Sequence, residues 1–198
     1  MDPALLGTAS AFGLAASAGL NTTLPLFIVG LLARLGLLTL GHPFSALSSD
    51  VALAGLLIVA IVEMLGDKIP GVDSAVHAVQ WPLAAAAGAI LFASQTSVIS
   101  WVSPELTILV GLLTAGSVHA ARAAARPAVT GMTLGAGNPF VSFTEDLVSL
   151  LLTFTAVFAP VLGLILMIVV LVVIGLLAAW SLRRGAAVSR SLFSRARA

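Results

Sequence analysis

The sequence predicts an all-α polytopic membrane protein of about six transmembrane helices, a 3+3 inverted-topology repeat with a broken or re-entrant first segment. Three observations predict it. First, 60% of the 198 residues are hydrophobic and 9% are charged, whereas a soluble domain carries about 25% charged residues. Second, the apolar runs approach the ~20 residues that a helix needs to cross a hydrocarbon core of about 30 Å, and strand-like alternation is absent. Third, a loop motif occurs twice. GHPFSALSSD at 41–50 and GNPFVSFTED at 137–146 share Gly, Pro, Phe and Asp at their first, third, fourth and tenth positions.

The spans follow in order. The first lies within 12–40, where Gly19, Asn21, Pro25, Gly30 and Gly36 interrupt the helical pattern. A proline there frees a carbonyl that something must re-satisfy, so residues 5–20 have a second reading as a separate half-membrane segment. The second span lies within 47–66, the third within 74–95 and the fourth within 104–125. The run 147–180 has no charged residue; as one helix it would extend about 51 Å, too long for a single crossing. Pro160 and Gly163 divide it into spans of 142–158 and 161–181, the alternative being one tilted helix. The chain then reads as a single membrane domain, 1–182, with repeat one at 12–95 and repeat two at 104–182. A basic cytoplasmic tail, 183–198, follows. The N-terminus lacks the positive region of a signal peptide and carries Asp2, so it is read as retained.

Charge placement gives the orientation. Arg183, Arg184, Arg190, Arg195 and Arg197 all follow the last apolar segment. With that tail inside and an even number of spans, both termini are cytoplasmic, in a bacterial inner (plasma) membrane. Lys68, Arg122 and Arg126 also fall inside, and Arg34 is the exception. Because each unit holds three spans, the second enters the bilayer reversed, placing 41–50 outside and 137–146 inside. An upstream echo, GLAASAG at 13–19 against GLLTAG at 111–116, shares nearly the same offset. Inverted repeats with interrupted helices are typical of secondary transporters. The plainer alternative is that Gly-x-Pro-Phe ahead of Ser and Asp simply makes a good helix start.

Ionisable groups inside spans are costly and mark partners or wet cavities. Glu63 and Asp67 are four apart on one helix face; the structural alternative pairs Glu63 with Lys68 or Arg122. Ser142-x-x-Glu145 reads as a capping box, with Asp146 favourably placed in the first helical turn. A convergent site of Glu63, Asp67, Glu145 and Asp146, compensated by Arg122 or Arg126, suits a proton or a hard cation better than a soft metal. Asn21 beside Thr22, Thr23 and Pro25 either contacts substrate or bonds a neighbouring helix. Asn138 belongs to the second Pro-Phe junction. His119, Arg122 and Arg126 form a stripe that either binds an anionic group or marks the membrane boundary. The candidate substrate or ion set is therefore Glu63, Asp67, Glu145, Asp146, Asn21, Asn138, Arg122 and His119.

The chain has no cysteine, and no hydrolase triad, phosphate loop, HExxH or nucleic-acid motif. The expectation is a non-enzyme without cofactor or nucleic-acid partner. Its partners are the lipid bilayer and a small solute or ion; PLAAAAGAI at 82–90 would permit the close helix packing of a homo-oligomer without fixing the oligomeric state. The expected function is a small cation- or proton-coupled secondary transporter. The alternatives are a channel, by analogy with paired Asn-Pro motifs of water channels, and a non-transporting scaffold or assembly factor. GLNTTLPLFIVGLLAR, EMLGDKIPGVD and GNPFVSFTED together resemble a family of small multi-spanning membrane proteins defined only as a domain of unknown function. The resemblance extends to about residue 182 and implies a membrane-embedded domain, with no activity and no functional residues attached.

Overall fold

The computed structural model describes residues 2–66, 73–95 and 102–195. Its elements are α1 (Pro3–Leu20), α2 (Leu24–Arg34), a 3-10 turn (Phe44–Ser48), α3 (Asp50–Gly66), α4 (Asp73–Ala93), α5 (Pro104–Thr133), α6 (Asn138–Phe158) and α7 (Pro160–Arg195). Among the described residues there is no strand. Four segments are long and apolar enough to cross a membrane: Pro3–Leu20, Pro104–Thr133, Asn138–Phe158 and Pro160–Arg183.

Local chemistry sets the helix ends. Asp2 caps α1 by accepting from the Ala4 N–H at 2.9 Å, and Pro3 sits at the start where no N–H is needed. Ser103 and Pro104 open α5 in the same way. The expected first span is two helices, because Asn21 takes an extended conformation and its Oδ1 accepts from Leu24 N–H at 2.9 Å. Residues 5–20 do belong to a separate helix, but α1 has 18 residues, about 27 Å at 1.5 Å per residue, and is not a half-length segment. The run 147–180 is divided as the proline suggests, α6 ending at Phe158 and α7 beginning at Pro160. The capping box is corrected. With Pro139 able to occupy its first turn, α6 starts at Asn138 with Gly137 as its cap, so Ser142 and Glu145 lie inside the helix.

Helix α1 is the centre of the bundle. Ala11, Leu14, Ala15 and Ala18 are fully buried, and α4, α5, α6 and α7 all pack on α1. Its small residues let these helices close on it. Gly13 meets Ala156, Ser17 O accepts from Ser149 Oγ at 2.9 Å, and Asn21 reaches Asp146, so α1 and α6 are antiparallel. Phe12 meets Phe92 edge-on at 5.0 Å, and α4 and α5 pack antiparallel through Gly88 and Gly111. Gly19 lies on Ala115 and Val118, and Leu20 meets Arg122, so α1 and α5 run parallel. The GLAASAG and GLLTAG stretches are thus parallel neighbours, and their similarity carries no inverted relation. Leu26 and Val29 of α2 join Leu14 and Ala18 in one apolar cluster with Ala156. The chain therefore turns at Asn21–Thr23 and α2 packs beside α1.

The exterior is apolar and the interior polar. Val51, Ile58, Val62 and Leu65 of α3 and Leu162, Ile165 and Val172 of α7 are exposed, while Asn21, Glu63, His119 and Arg122 are buried. A bilayer, not water, suits such a surface.

Candidate ion and solute site at the α1–α2 break

A break in a helix leaves backbone groups that must find partners away from water. Here α3 and α5 provide them, while α4 and α6 bond to side chains at the break. From α3, Glu63 accepts Thr22 N–H on Oε1 at 3.0 Å and Thr23 N–H on Oε2 at 3.1 Å. This carboxylate caps the N-terminus of α2, where the helix dipole favours negative charge. From α4, Gln80 Nε2 donates to Glu63 Oε1 at 3.2 Å. From α5, Arg122 Nη1 donates to the Leu20 carbonyl at the end of α1. From α6, Asp146 Oδ1 accepts from Asn21 Nδ2 at 2.9 Å.

A second group of charges adjoins the first through Arg122. Glu145 Oε2 pairs with Arg122 Nε at 2.9 Å and with Arg126 Nη2 at 2.6 Å, and Arg126 also donates to Ser142 Oγ at 2.9 Å. Glu145 faces both guanidiniums, and with Glu63 and Asp146 nearby at the break the set of three carboxylates and two arginines has a formal charge of −1. Leu20, Arg122, Arg126 and Glu145 line one side of a pocket of about 480 Å³, and Val169, Val170, Val173 and Ile174 of α7 line the other. Those α7 residues lie nine to fourteen positions after Pro160, roughly 14–21 Å along the helix. Arg122, Arg126 and Glu145 of the charged set therefore lie beside the uncharged part of α7.

The expected residues divide into three groups. Asn21, Glu63, Asp146 and Arg122 converge on the break, and Glu145 joins them through Arg122. His119 is buried one turn before Arg122 on α5. Asn138 stands apart, at the α5–α6 turn, where its Oδ1 accepts from Thr130 Oγ1 at 3.1 Å. Asp67 and Lys68 lie outside the described residues. Arg34 pairs with Asp50 at 2.6 Å across the α2–α3 connection, away from the site. Among the described residues, no group of three or more His, Asp or Glu is placed to hold a metal ion.

The sequence reading missed Gln80 and Ser142 as site residues. Gln80 had a usable signal, being an uncharged amide inside the apolar stretch AVQWPLAAAAGAI. Ser142 was assigned to a cap and is instead fully buried under Arg126.

The Domain of unknown function (DUF4126) family model matches residues 8–184. The chain belongs to that family. The DUF4126 match runs from α1 into α7 and contains every residue of the break and its charged surroundings. No curated protein and no solved structure matches this DUF4126 chain.

Proposed function

We propose that the protein is a small secondary transporter of the cytoplasmic membrane, coupled to a proton or a cation through Glu63, Asp146 and Glu145. One observation carries the reading: two buried carboxylates, Glu63 and Asp146, engage the α1–α2 break inside the helical bundle. Discontinuous helices at mid-bilayer depth are where secondary transporters place substrate and coupling ions. A proton or monovalent cation would bring the formal charge of the set to zero, giving the occupied and empty states different electrostatics. The shared Gly-x-Pro-Phe sequence, before α3 and at the start of α6, supports a 3+3 inverted relation, which gives such a carrier two related faces. Helix α1 fills the centre of the bundle, which favours a carrier over a standing pore.

Proteoliposomes containing the full chain test this. A pH-sensitive dye reads proton entry under a potassium-valinomycin potential, in separate arms with sodium, magnesium or calcium outside. Wild type is expected to carry flux in at least one arm, with Glu63→Gln and Asp146→Asn reducing it ten-fold or more. Equal flux from wild type and both variants would remove these residues from coupling, and no flux in any arm would remove cation coupling. A second reading, a non-transporting scaffold, draws on the full engagement of Glu63 by two amides and Gln80. It expects the same variants to lower thermal stability with no ion flux in wild type.

A further inference from the structure

We propose that Glu63 is the proton site of the α1–α2 break, and that the Thr22 hydroxyl accepts the hydrogen bond of its protonated form. The inference deepens the transport reading, on which it rests for the proton's role as coupling ion.

Two buried groups at the break lack what burial demands. Glu63 is 8% exposed, and among the described residues its partners are the Thr22 N–H, the Thr23 N–H and the Gln80 amide, all neutral. A carboxylate held by neutral donors alone keeps its full charge away from water, which is costly. The Thr22 side chain is 6% exposed, and among the described residues its Oγ1 has no hydrogen-bond partner. Buried polar atoms nearly always have one, so this hydroxyl marks a place where a further group binds. The two belong together, because the amide of Thr22 itself bonds Glu63 Oε1.

Counting donors selects the ion. A carboxylate offers about four lone-pair positions. Oε1 accepts from Thr22 N–H and Gln80 Nε2, and Oε2 accepts from Thr23 N–H. One position on Oε2 is left. That suits a single proton, whereas a hard metal cation gathers about six oxygens, and three N–H donors turned toward the carboxylate oppose one here. A proton from water adding to this lone pair forms an O–H bond and cancels the charge of Glu63. The new O–H needs an acceptor, and a threonine hydroxyl has lone pairs to give. Rotation between staggered positions about the Thr22 Cα–Cβ bond is the movement that brings Oγ1 toward the carboxylate. Return of the proton to water reverses both steps.

The charged groups around this pair are Asp146 of α6, which bonds Asn21, and Arg122 of α5, which bonds the Leu20 carbonyl. Their formal charges cancel. Helix α4 presents the neutral Gln80, the break itself has only Asn21, Thr22 and Thr23, and Asp50 lies at the far end of α3. A proton on Glu63 therefore brings the immediate surroundings of the break to neutrality.

Infrared difference spectra of the full chain in nanodiscs, between alkaline and acidic buffer, test the proposal. Acidification is expected to produce the carbonyl band of a protonated carboxyl group, and Glu63→Gln should abolish it. Thr22→Val, which replaces the hydroxyl with a methyl group, should move the band to higher frequency, because a carboxyl group that loses a hydrogen bond has a stiffer carbonyl. Thr22→Ser should return the band to its wild-type position. Removing an unsatisfied hydroxyl costs no hydrogen bond, so the unfolding midpoint of Thr22→Val should be no lower than that of wild type, which separates a proton role from a folding defect. An identical band in Thr22→Val and wild type would remove Thr22 from the site. Absence of any band that depends on Glu63 would overturn the proton assignment, and loss of the band on adding sodium at fixed pH would give the site to a metal cation. The spectra report equilibrium protonation, so an intact band without flux in proteoliposomes would reject transport and leave the proton site standing.

Discussion

At the scale of single residues, the structure turns on the cost of unpaired backbone. Glu63 holds two amides of the break, and leaving a buried donor unsatisfied costs about 1–3 kcal/mol. Glu63→Ala is therefore expected to lower stability by roughly 2–5 kcal/mol, read as a fall in the unfolding midpoint of the detergent-solubilised protein. Glu63→Gln keeps one acceptor oxygen and should cost less than half as much; equal losses would show that the amides do not depend on this side chain. Arg122 bonds the Leu20 carbonyl and pairs with Glu145, so Arg122→Met should cost about 3–5 kcal/mol, the range for breaking a buried pair. That a buried glutamate matters was legible, because an acid in an apolar span needs a partner. Its partners were not: they are main-chain amides some 40 positions away, whose exposure depends on where the helix breaks, and a sequence displays side chains only.

At the scale of elements, close approach and helix ends decide the packing. A methyl group built on Gly88 falls 2.7 Å from the Gly111 carbonyl and even closer to Ala115 Cβ. Backbone stands against backbone here, with no flexible side chain to yield. Gly88→Ala is expected to separate α4 from α5 and cost about 1–3 kcal/mol, measured by thermal unfolding in detergent. The α5–α6 turn offers the opposite case. Leu134 ends α5 with φ at 51° and is almost fully exposed. A left-handed conformation costs a residue with a side chain about 1–2 kcal/mol, so Leu134→Gly should stabilise the protein by up to about 1 kcal/mol after its own chain entropy is offset. An unchanged or lower unfolding midpoint would count against strain at that turn. Pro160 revealed the α6–α7 division because proline marks a boundary wherever it falls. Ser142-x-x-Glu145 misled because its spacing also suits a helix interior whose polar side chains meet Arg126 on a neighbouring helix.

At the scale of the whole molecule, the turn at Asn21–Thr23 changes the topology. Six spans would return both termini to one side of the membrane. In the structure α1 is antiparallel to α6, and α6 folds back on α7 at Ala156 and Gly163, so α1 and α7 run parallel. The start of α1 and the end of α7 consequently lie at opposite ends of the bundle. We propose that the arginine-rich tail is cytoplasmic, because basic segments remain on that side. The absence of native cysteine makes this testable without background labelling. Single cysteines at Asp2, Ala136 and Arg183 would be treated with a membrane-impermeant maleimide, before and after lysis of the cells. Asp2→Cys is expected to react in intact cells, whereas Ala136→Cys and Arg183→Cys should react only after lysis, because the α5–α6 turn shares its end of the bundle with the tail. Reaction of Asp2→Cys and Arg183→Cys from the same side would overturn the parallel crossing of α1 and α7. The break would then have to be part of a single crossing instead of a reversal, and Glu63 would no longer mark a turn of the chain.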